Sequence, residues 1–599
     1  MVEALHVLNH TFGFSSFRDQ QGHIVDAVIR GKNTLVVMPT GGGKSLCYQI
    51  PALVREGMGI VISPLIALMQ DQVSALNAHG LQAAFLNSTL SLTAMQDLER
   101  RIVAGNIDIL YVAPERLIQA RTINLLQQVK LSLFAIDEAH CLAQWGHDFR
   151  SDYLRLDVLP QSFPHVPRVA LTATADRKTQ HEIARCLQLD QDAQFVCGFD
   201  RSNIQYRIQQ KNRPKKQLLS FLKEEQKDSA GIVYCLSRKK VEDTALWLQH
   251  EGFTALPYHA GMDTQSRQRH QDRFLREDGI IIVATIAFGM GIDKPNVRFV
   301  AHLDMPKSIE AYYQETGRAG RDGENATAIL FYGMEDVVKL SQMAANSEGN
   351  EEFKRHERHR LNAMLGLCEM TSCRRQALLH YFDDSMDTPC GNCDNCIQPP
   401  QTRDATEDIR KALSCVYRTG QRFGAVHVID VLRGSDNEKV RQFSHQTLST
   451  YGIGKDLSTD AWRTIFRQLI VMGFLDVDAS AYGNLRLTEK SRPILRGEQS
   501  IHLRYEIKVN NTKRSHKIRD DIDQENMALW NDLRACRKQL ALENGVPPYI
   551  IFSDATLKEM IVYRPLNSSQ LIEVNGVGDK KLEQFGEAFL DVIRNHEYA

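Results

Sequence analysis

The sequence predicts a multidomain chain: two α/β domains with parallel sheets in tandem, followed by mainly helical modules. Three observations carry this reading. At 599 residues the chain exceeds a single core, and at about 100 to 200 residues per domain it divides into several. Through the first half, short apolar β-branched runs bounded by turn residues alternate with helical stretches, the pattern of parallel strands wrapped by helices. That pattern stops at a polar join, restarts once, and then gives way to helix.

The first set of runs is Thr34 to Met38, Gly59 to Ser63, Ile109 to Val112, Leu133 to Ile136 and Val169 to Thr172. A polar join near Ile208 to Lys216 separates it from Gly231 to Tyr234, Ile280 to Ala284 and Val297 to Leu303. Beyond about Phe331 a helical stretch runs to His380. A cysteine cluster follows, then a break at Gln398-Pro399-Pro400-Gln401. Helical periodicity then leads into an expected hairpin, Phe474 to Val477 with Leu485 to Thr488, joined by Asp478 to Asn484. The polar stretch Lys508 to Asp523 reads as a linker to a small helical module. The expected domains are therefore 1–207, 208–333, 334–400, 401–507 and 524–599, with 508–523 as the linker.

Composition narrows the class. A hydrophobic fraction of 43% with 24% charged residues fits a soluble chain, and no apolar run approaches the roughly 18 residues that span a membrane. Met1 to His10 carries Glu3 and two histidines in place of a basic segment and an apolar stretch, so no signal peptide is expected. Lys plus Arg (72) and Asp plus Glu (73) nearly cancel, so any nucleic-acid surface has to be local. The 12 cysteines suit reduced thiols, except where Cys390, Cys393 and Cys396 crowd together.

Three motifs carry the chemistry. Met38-Pro-Thr40-Gly41-Gly42-Gly43-Lys44-Ser45 follows a strand and opens a helix, departing from the phosphate-loop pattern only in having Met38 for its first glycine. Its glycines admit backbone N–H groups to the phosphates of ATP, Lys44 reaches the β and γ phosphates, and Ser45 ligates Mg²⁺. The strand Leu133 to Ile136 delivers Asp137 and Glu138, suited to holding Mg²⁺ and orienting the attacking water. In the second half, Tyr313-Gln-Glu-Thr-Gly-Arg318-Ala-Gly-Arg321 places two arginines three apart, expected on one helix face, to reach across a cleft to the γ phosphate.

The acidic motif runs on into His140-Cys-Leu-Ala-Gln-Trp145-Gly-His147-Asp-Phe149-Arg150, aromatics beside a basic residue. Stacking a base on an aromatic is worth about 1 to 3 kcal/mol, against about 1.4 kcal/mol lost per DNA stacking step, so such a loop can support melting or stepping. Phosphate contacts are expected near Ser63, Thr285 and Gly261. Cys373, with Cys390-Gly-Asn-Cys393-Asp-Asn-Cys396, offers four thiolates to a tetrahedral Zn²⁺, the competing reading being an iron–sulfur cluster. Arg374 and Arg375 beside it are expected to contact phosphate.

Together these motifs resemble superfamily 2 helicases and, within them, the RecQ family. The segments Phe17-Arg18-Asp-Gln-Gln21, Ser63 to Gln72, Leu171-Thr172-Ala-Thr174-Ala175 and Ala284 to Asp293 are similar to the remaining motor motifs, in order, and the resemblance spans essentially the whole chain. It implies two RecA-like domains, a helical zinc-binding domain, a winged helix and a single all-helical HRDC domain. It implies that Gln21 reads the adenine edge with Arg18 packed on the ring, and that Thr172 and Thr174 couple hydrolysis to domain closure. The aromatic loop would couple DNA binding to ATP hydrolysis, with Ser151-Asp152 standing where the family more often has Pro-Glu. Iron–sulfur helicases carry their cluster inside the first motor half, so the position here favours zinc. The helix from Asp460 to Gly473, the Gly452-Ile-Gly454 loop and the hairpin turn with Tyr482 would face duplex DNA, and the Gly576-Val-Gly578 turn could present amides to phosphate. The likeness further implies a DNA helicase of 3′ to 5′ polarity acting on single-stranded and branched duplex DNA in recombination, replication-fork repair and the SOS response. It also implies single-stranded DNA-binding protein and a type I topoisomerase as partners, a monomer, and a cytoplasmic place at the bacterial nucleoid with no membrane contact. With the adenine motif starting by residue 17, no exonuclease domain is expected ahead of the motor. An RNA helicase with the same motor, and a DNA clamp gated by ATP, are the alternative readings.

Overall fold

Seven strands form the first sheet: β1 (Thr34–Val37), β2 (Met58–Ile62), β3 (Ala83–Leu86), β4 (Ile109–Val112), β5 (Leu131–Ile136), β6 (Arg168–Thr172) and β7 (Gln194–Val196). Their order is β3-β4-β2-β5-β6-β1-β7, and every pairing is parallel. Helices cover both faces, so the central strands are buried along their length and read as continuous apolar runs. The computed structural model describes residues 1–87, 90–142, 151–175, 177–288, 294–345, 351–478, 484–505 and 526–597. β3 and β7 were not expected. They are the two edges, where one is rich in alanine and the other is three half-exposed residues, so neither shows a run of branched side chains.

The second sheet is also wholly parallel. It contains β8 (Ile204–Gln210), β9 (Gly231–Tyr234), β10 (Ala255–Tyr258), β11 (Ile281–Ala284), β12 (Phe299–His302) and β13 (Ala326–Tyr332), in the order β10-β11-β9-β12-β13-β8. The expected 207/208 boundary cuts through β8, which pairs along its whole length with β13. The change of sheet therefore lies between Val196 and Ile204. Of the residues taken for a join, Ile208 to Gln210 belong to this edge strand, with Ile208 buried and Gln209 exposed.

The helices Glu351–Glu369 and Arg374–Tyr381 lead to the cysteine cluster. Next comes a unit built on the helices Thr406–Arg418, Ala425–Arg433 and Thr459–Val471 around Leu413, Trp462 and Phe466. Its first strand, β14 (Gln401–Asp404), directly follows the prolines. The antiparallel hairpin β15 (Leu475–Asp478) and β16 (Asn484–Leu487) comes next, and β17 (His502–Tyr505) returns to pair antiparallel with β14 and clasp the unit's two ends. The turn with Tyr482, and the linker 508–523, lie outside the described residues.

The helix Thr459–Val471, expected to face duplex DNA, exposes Asp460 and Arg463 on one side and packs its other side inward. Trp462, Ile465, Phe466, Arg467, Gln468 and Leu469 are buried. Arg467 pairs with Glu369 of the preceding module, its guanidinium 5.1 Å from the Tyr332 ring, and Thr464 bonds Gln210 of β8 at 3.1 Å. This helix fastens its unit to the second lobe.

The last module packs the helices Met527–Glu543, Asp554–Tyr563 and Asp579–Glu597 around Leu533, Phe585 and Phe589. Its Gly576 to Gly578 turn, expected to offer amides to phosphate, is spent on the first lobe: Gly576 N–H donates to Gly13 O at 2.8 Å, and a Cβ on Gly578 would stand 2.8 Å from Thr11 O.

Candidate functional site

Strand order assembles the site. β6 lies between β5 and β1, so three loops leave the same edge of the sheet side by side: the Gly-rich loop after β1, the acidic pair after β5, and Thr172 to Thr174 after β6. Ligands of parallel α/β sheets sit at this carboxyl edge.

The Gly-rich loop turns through Gly41 and Gly43 at φ +84° and +81°, a region open to glycine at little cost. A Cβ on Gly43 would stand 2.2 Å from Gln21 Nε2, and one on Gly42 would stand 2.8 Å from Met38 Cγ. Met38 is buried and backs the loop from inside. Ser45 stands at the start of the helix Leu46–Val54, whose N-terminal end favours negative charge. Lys44 Nζ donates to Met38 O at 3.0 Å and Pro39 O at 3.2 Å, which holds the ammonium over the loop. Gln21 donates its amide to Gly42 O and Gly43 O at 3.1 and 3.3 Å and accepts from Arg18 N–H at 2.9 Å, so in this conformation its polar head grips the phosphate loop.

Asp137 accepts from Glu138 N–H at 3.0 Å, and Tyr153 O–H donates to Asp137 O at 2.9 Å. Glu138 stands at φ +50°, a strained backbone for a residue with a Cβ. Buried His140 places Nδ1 3.3 Å from Glu138 Oε2 and 3.0 Å from Thr172 Oγ1. The Thr172 hydroxyl also lies 3.2 Å from Thr174 O and accepts from Thr174 N–H at 3.2 Å. One contiguous chain thus links Glu138, His140, Thr172 and Thr174.

From the second lobe, the helix Ile309–Thr316 ends at Gly317, so Arg318 and Arg321 lie in the turn beyond it and not on one helix face as expected. Gly320, at φ +57°, makes that turn. It brings Arg321 to the phosphate loop, with Arg321 Cα 3.5 Å from where a Gly41 Cβ would stand. Arg318 is 7% exposed.

The sulfur atoms of Cys373, Cys390, Cys393 and Cys396 all lie within 4.8 Å of one another. Cys373 caps its helix; burial raises its thiol, but N–H donors from Gln376 and Cys390 bring it down to about 7. Four convergent sulfurs with a readily ionised member fit a tetrahedral Zn²⁺. Arg374 and Arg375 are not open to phosphate. Arg374 is fully buried, bonded to Asp394 and Leu367 O at 2.6 Å each, and Arg375 donates to Ser202 O and Ile204 O. Arg374 braces the cysteine module internally, and Arg375 ties it to the motor.

Of the expected nucleic-acid contacts, Trp145, His147, Phe149 and Arg150 lie outside the described residues. Ser63 is enclosed at 1% exposed with its N–H on Val112 O, so it offers no surface. Thr285 is half-buried, its Oγ1 accepting from Ala287 N–H at 3.4 Å, and Gly261 is backed by Arg238. A groove of about 1690 Å³, which sequence reasoning did not find, runs between the second lobe and the winged unit; Arg213, Lys339, Arg422, Phe423, Lys439 and Arg463 line it. His140, Tyr153 and Arg201 were also missed. His140 alone carried a signal, two positions after Glu138.

Comparison with known proteins covers nearly the whole chain. Residues 18–183 match the DEAD/DEAH box helicase family, 213–323 the helicase conserved C-terminal domain, 334–397 the RecQ zinc-binding family, 399–512 the RQC domain and 526–593 the HRDC domain. An ATP-dependent DNA helicase RecQ of Haemophilus influenzae is 46% identical over 99% of this chain and 96% of its own. The proteins of that name in Pasteurella multocida and Bacillus subtilis are 45% and 38% identical, over 99% and 98% of this chain and 94% and 98% of theirs.

Proposed function

Because the chain belongs to the RecQ family of ATP-dependent DNA helicases, we propose that its two lobes turn ATP hydrolysis into 3′ to 5′ movement along one DNA strand, displacing the other. The observation that carries the reading is the meeting of Arg321 with the phosphate loop while the acidic pair and Thr172 to Thr174 flank that loop. In this reading Thr40 to Gly43 and Lys44 hold the phosphates, and Ser45 and Asp137 hold Mg²⁺. Glu138 orients the attacking water. Arg318 and Arg321 neutralise charge developing on the γ phosphate, a role worth roughly 10³ to 10⁵ in rate where it has been measured. Arg18 and Gln21 take the adenine, Gln21 exchanging the loop carbonyls for the base edge. The chain Glu138, His140, Thr172, Thr174 carries the state of the γ phosphate toward the DNA-facing loops.

The enzyme uses ATP, Mg²⁺ and one structural Zn²⁺; Cys373, Cys390, Cys393 and Cys396 would hold the zinc, which fixes the loop and performs no step of catalysis. On the DNA side we assign stacking to Trp145, His147, Phe149 and Arg150 and backbone contact to Thr285. The basic groove suits a duplex or branch point, which presents phosphates on several sides. Single-stranded DNA-binding protein and a type I topoisomerase are the proposed protein partners, recombination and fork repair the setting, and the nucleoid the place. Among the described residues no helix is long and apolar enough to cross a membrane.

Lys44→Ala is expected to abolish ATP hydrolysis and unwinding while leaving DNA binding measurable; unwinding by that variant overturns the reading. In the wild type, single-stranded DNA should stimulate ATPase far more than RNA of the same length. Equal stimulation would transfer the assignment to RNA.

A further inference from the structure

Arg201 sits on the connection between β7, the last strand of the first sheet, and β8, the first of the second. Its guanidinium is buried, with the residue 8% exposed, and it reaches both lobes. Nη1 donates to Thr40 O in the phosphate loop at 2.5 Å and to Gly317 O at 3.0 Å. Nη2 donates to Ala319 O at 2.8 Å and Gly320 O at 3.0 Å. All four partners are backbone carbonyls: one belongs to the loop that cradles phosphate, and three frame the turn bearing Arg318 and Arg321. Asn203, two residues on, adds bonds to Gly320 O and Glu324 O at 2.8 Å each.

This arrangement is costly as plain packing. A buried guanidinium without a carboxylate among its hydrogen-bond partners loses hydration that carbonyls only partly restore, and its pKa is lowered by that burial. A neutral side chain would join the connection to the first lobe at less cost. What only a planar fork supplies is simultaneous, directional donation to carbonyls of two lobes. The point where they meet is where Arg321 Cα and Arg201 Nη1 both lie 3.5 Å from the Gly41 Cβ position.

We propose that Arg201 is a positioning residue for ATP hydrolysis, setting the register of the Arg318 and Arg321 turn against the phosphate loop. It transfers no proton and touches no reacting atom; it acts through Arg321. The proposal rests on the reading of Arg321 as the group that meets the γ phosphate, and the test separates the two.

The experiment measures DNA-stimulated ATPase, fluorescent-ATP affinity, thermal melting and zinc content for Arg201→Lys, Arg201→Ala, Arg321→Ala and the double variant Arg201→Lys/Arg321→Ala. Misplacement of reacting groups by about 1 Å costs on the order of 10²-fold, so kcat of Arg201→Lys should fall by that order while KM for ATP, melting and zinc stay near wild type. Arg201→Ala should fall at least as far. Because Arg201 works through Arg321, the double variant should be no slower than Arg321→Ala, a non-additivity that mere loss of folding does not produce. Wild-type kcat in Arg201→Lys, a parallel loss of affinity and melting, or multiplicative losses in the double variant would each overturn the proposal. Retention of kcat in Arg321→Ala would instead overturn the reading it rests on.

Discussion

At the scale of the residue, much of the site follows from what a backbone permits. Gly43 is the sharpest case: its φ is +81°, and a Cβ there would stand 2.2 Å from the Gln21 amide that grips the loop. Gly43→Ala therefore strains the loop and displaces the adenine-side glutamine together, and a cost of even about 1.4 kcal/mol is tenfold in affinity. Titration with a fluorescent ATP analogue should show at least that loss. Gly366, in the helix Glu351–Glu369, has nothing within 4 Å of its Cβ position, so Gly366→Ala should keep ATP affinity and add about 0.5 to 1 kcal/mol of stability. The need for glycine at Gly43 was legible because Gly, Lys and Ser at fixed spacing have few other uses after a strand. Arg201 was not, since its partners are carbonyls, which every residue owns and no sequence pattern marks. His140 lies between: the spacing from Glu138 was visible, but its bond to Thr172 depends on β6 lying beside β5.

At the scale of the element, most continuous apolar strands announced themselves, although the buried β13 was not among the runs picked out, and half-exposed ones did not. β5 and β6 are buried on both faces, whereas β8 alternates buried Ile204, Tyr206 and Ile208 with polar neighbours and passes for a linker. The inward side of the helix Thr459–Val471 was hidden in the sequence for a related reason. Its Arg467 looks like a solvent or phosphate-facing cation in sequence, yet it is 5% exposed and paired with Glu369, itself bonded by Tyr332. Removing one partner of a buried pair leaves an uncompensated charge and costs about 3 to 5 kcal/mol, while replacing both by apolar groups of similar size is often neutral. Arg467→Ala should therefore loosen the winged unit from the motor and raise its susceptibility to limited proteolysis. Arg467→Met combined with Glu369→Leu should recover most of the loss. If the double variant is as labile as the single, the pair is not what fastens the two elements.

At the scale of the molecule, the terminal module straps both lobes. On the first, Gly576 meets Gly13 and His10 pairs with Asp579 at 2.8 Å; on the second, Arg534 pairs with Asp278, Lys558 with Glu324, and Arg276 donates to Gly545 O. Gly13 lies shortly before Arg18 and Gln21, and Glu324 shortly after Arg321, so the strap grips both sides of the ATP cleft close to its working residues. No single sequence segment could announce this, because each contact joins parts hundreds of residues apart. Relative movement of the lobes must break one set of contacts, which makes docking strength a mechanical variable. Two bases at the first-lobe contact tie it to pH: Lys581, which is buried, and His79, half-buried with its Nδ1 enclosed. Burial, reinforced by the charge of Lys581, pushes His79 down to about 3, and burial lowers Lys581 to about 8. Released, His79 titrates near 6.5, so between pH 6.5 and 3 the undocked state binds the extra proton and docking weakens as pH falls. Lys581 adds no slope below pH 8, where it is protonated in both states; its contribution strengthens docking only above that. At pH 5 the His79 effect amounts to at most about 2 kcal/mol, roughly a thirtyfold shift toward release. Energy transfer between site-specific labels at the exposed positions Leu92 and Leu542 should therefore drop on acidification from pH 7 to 5, and His79→Gln should flatten the response. A pH-independent signal in the wild type, or an unchanged slope in His79→Gln, would show that this histidine does not gate the strap.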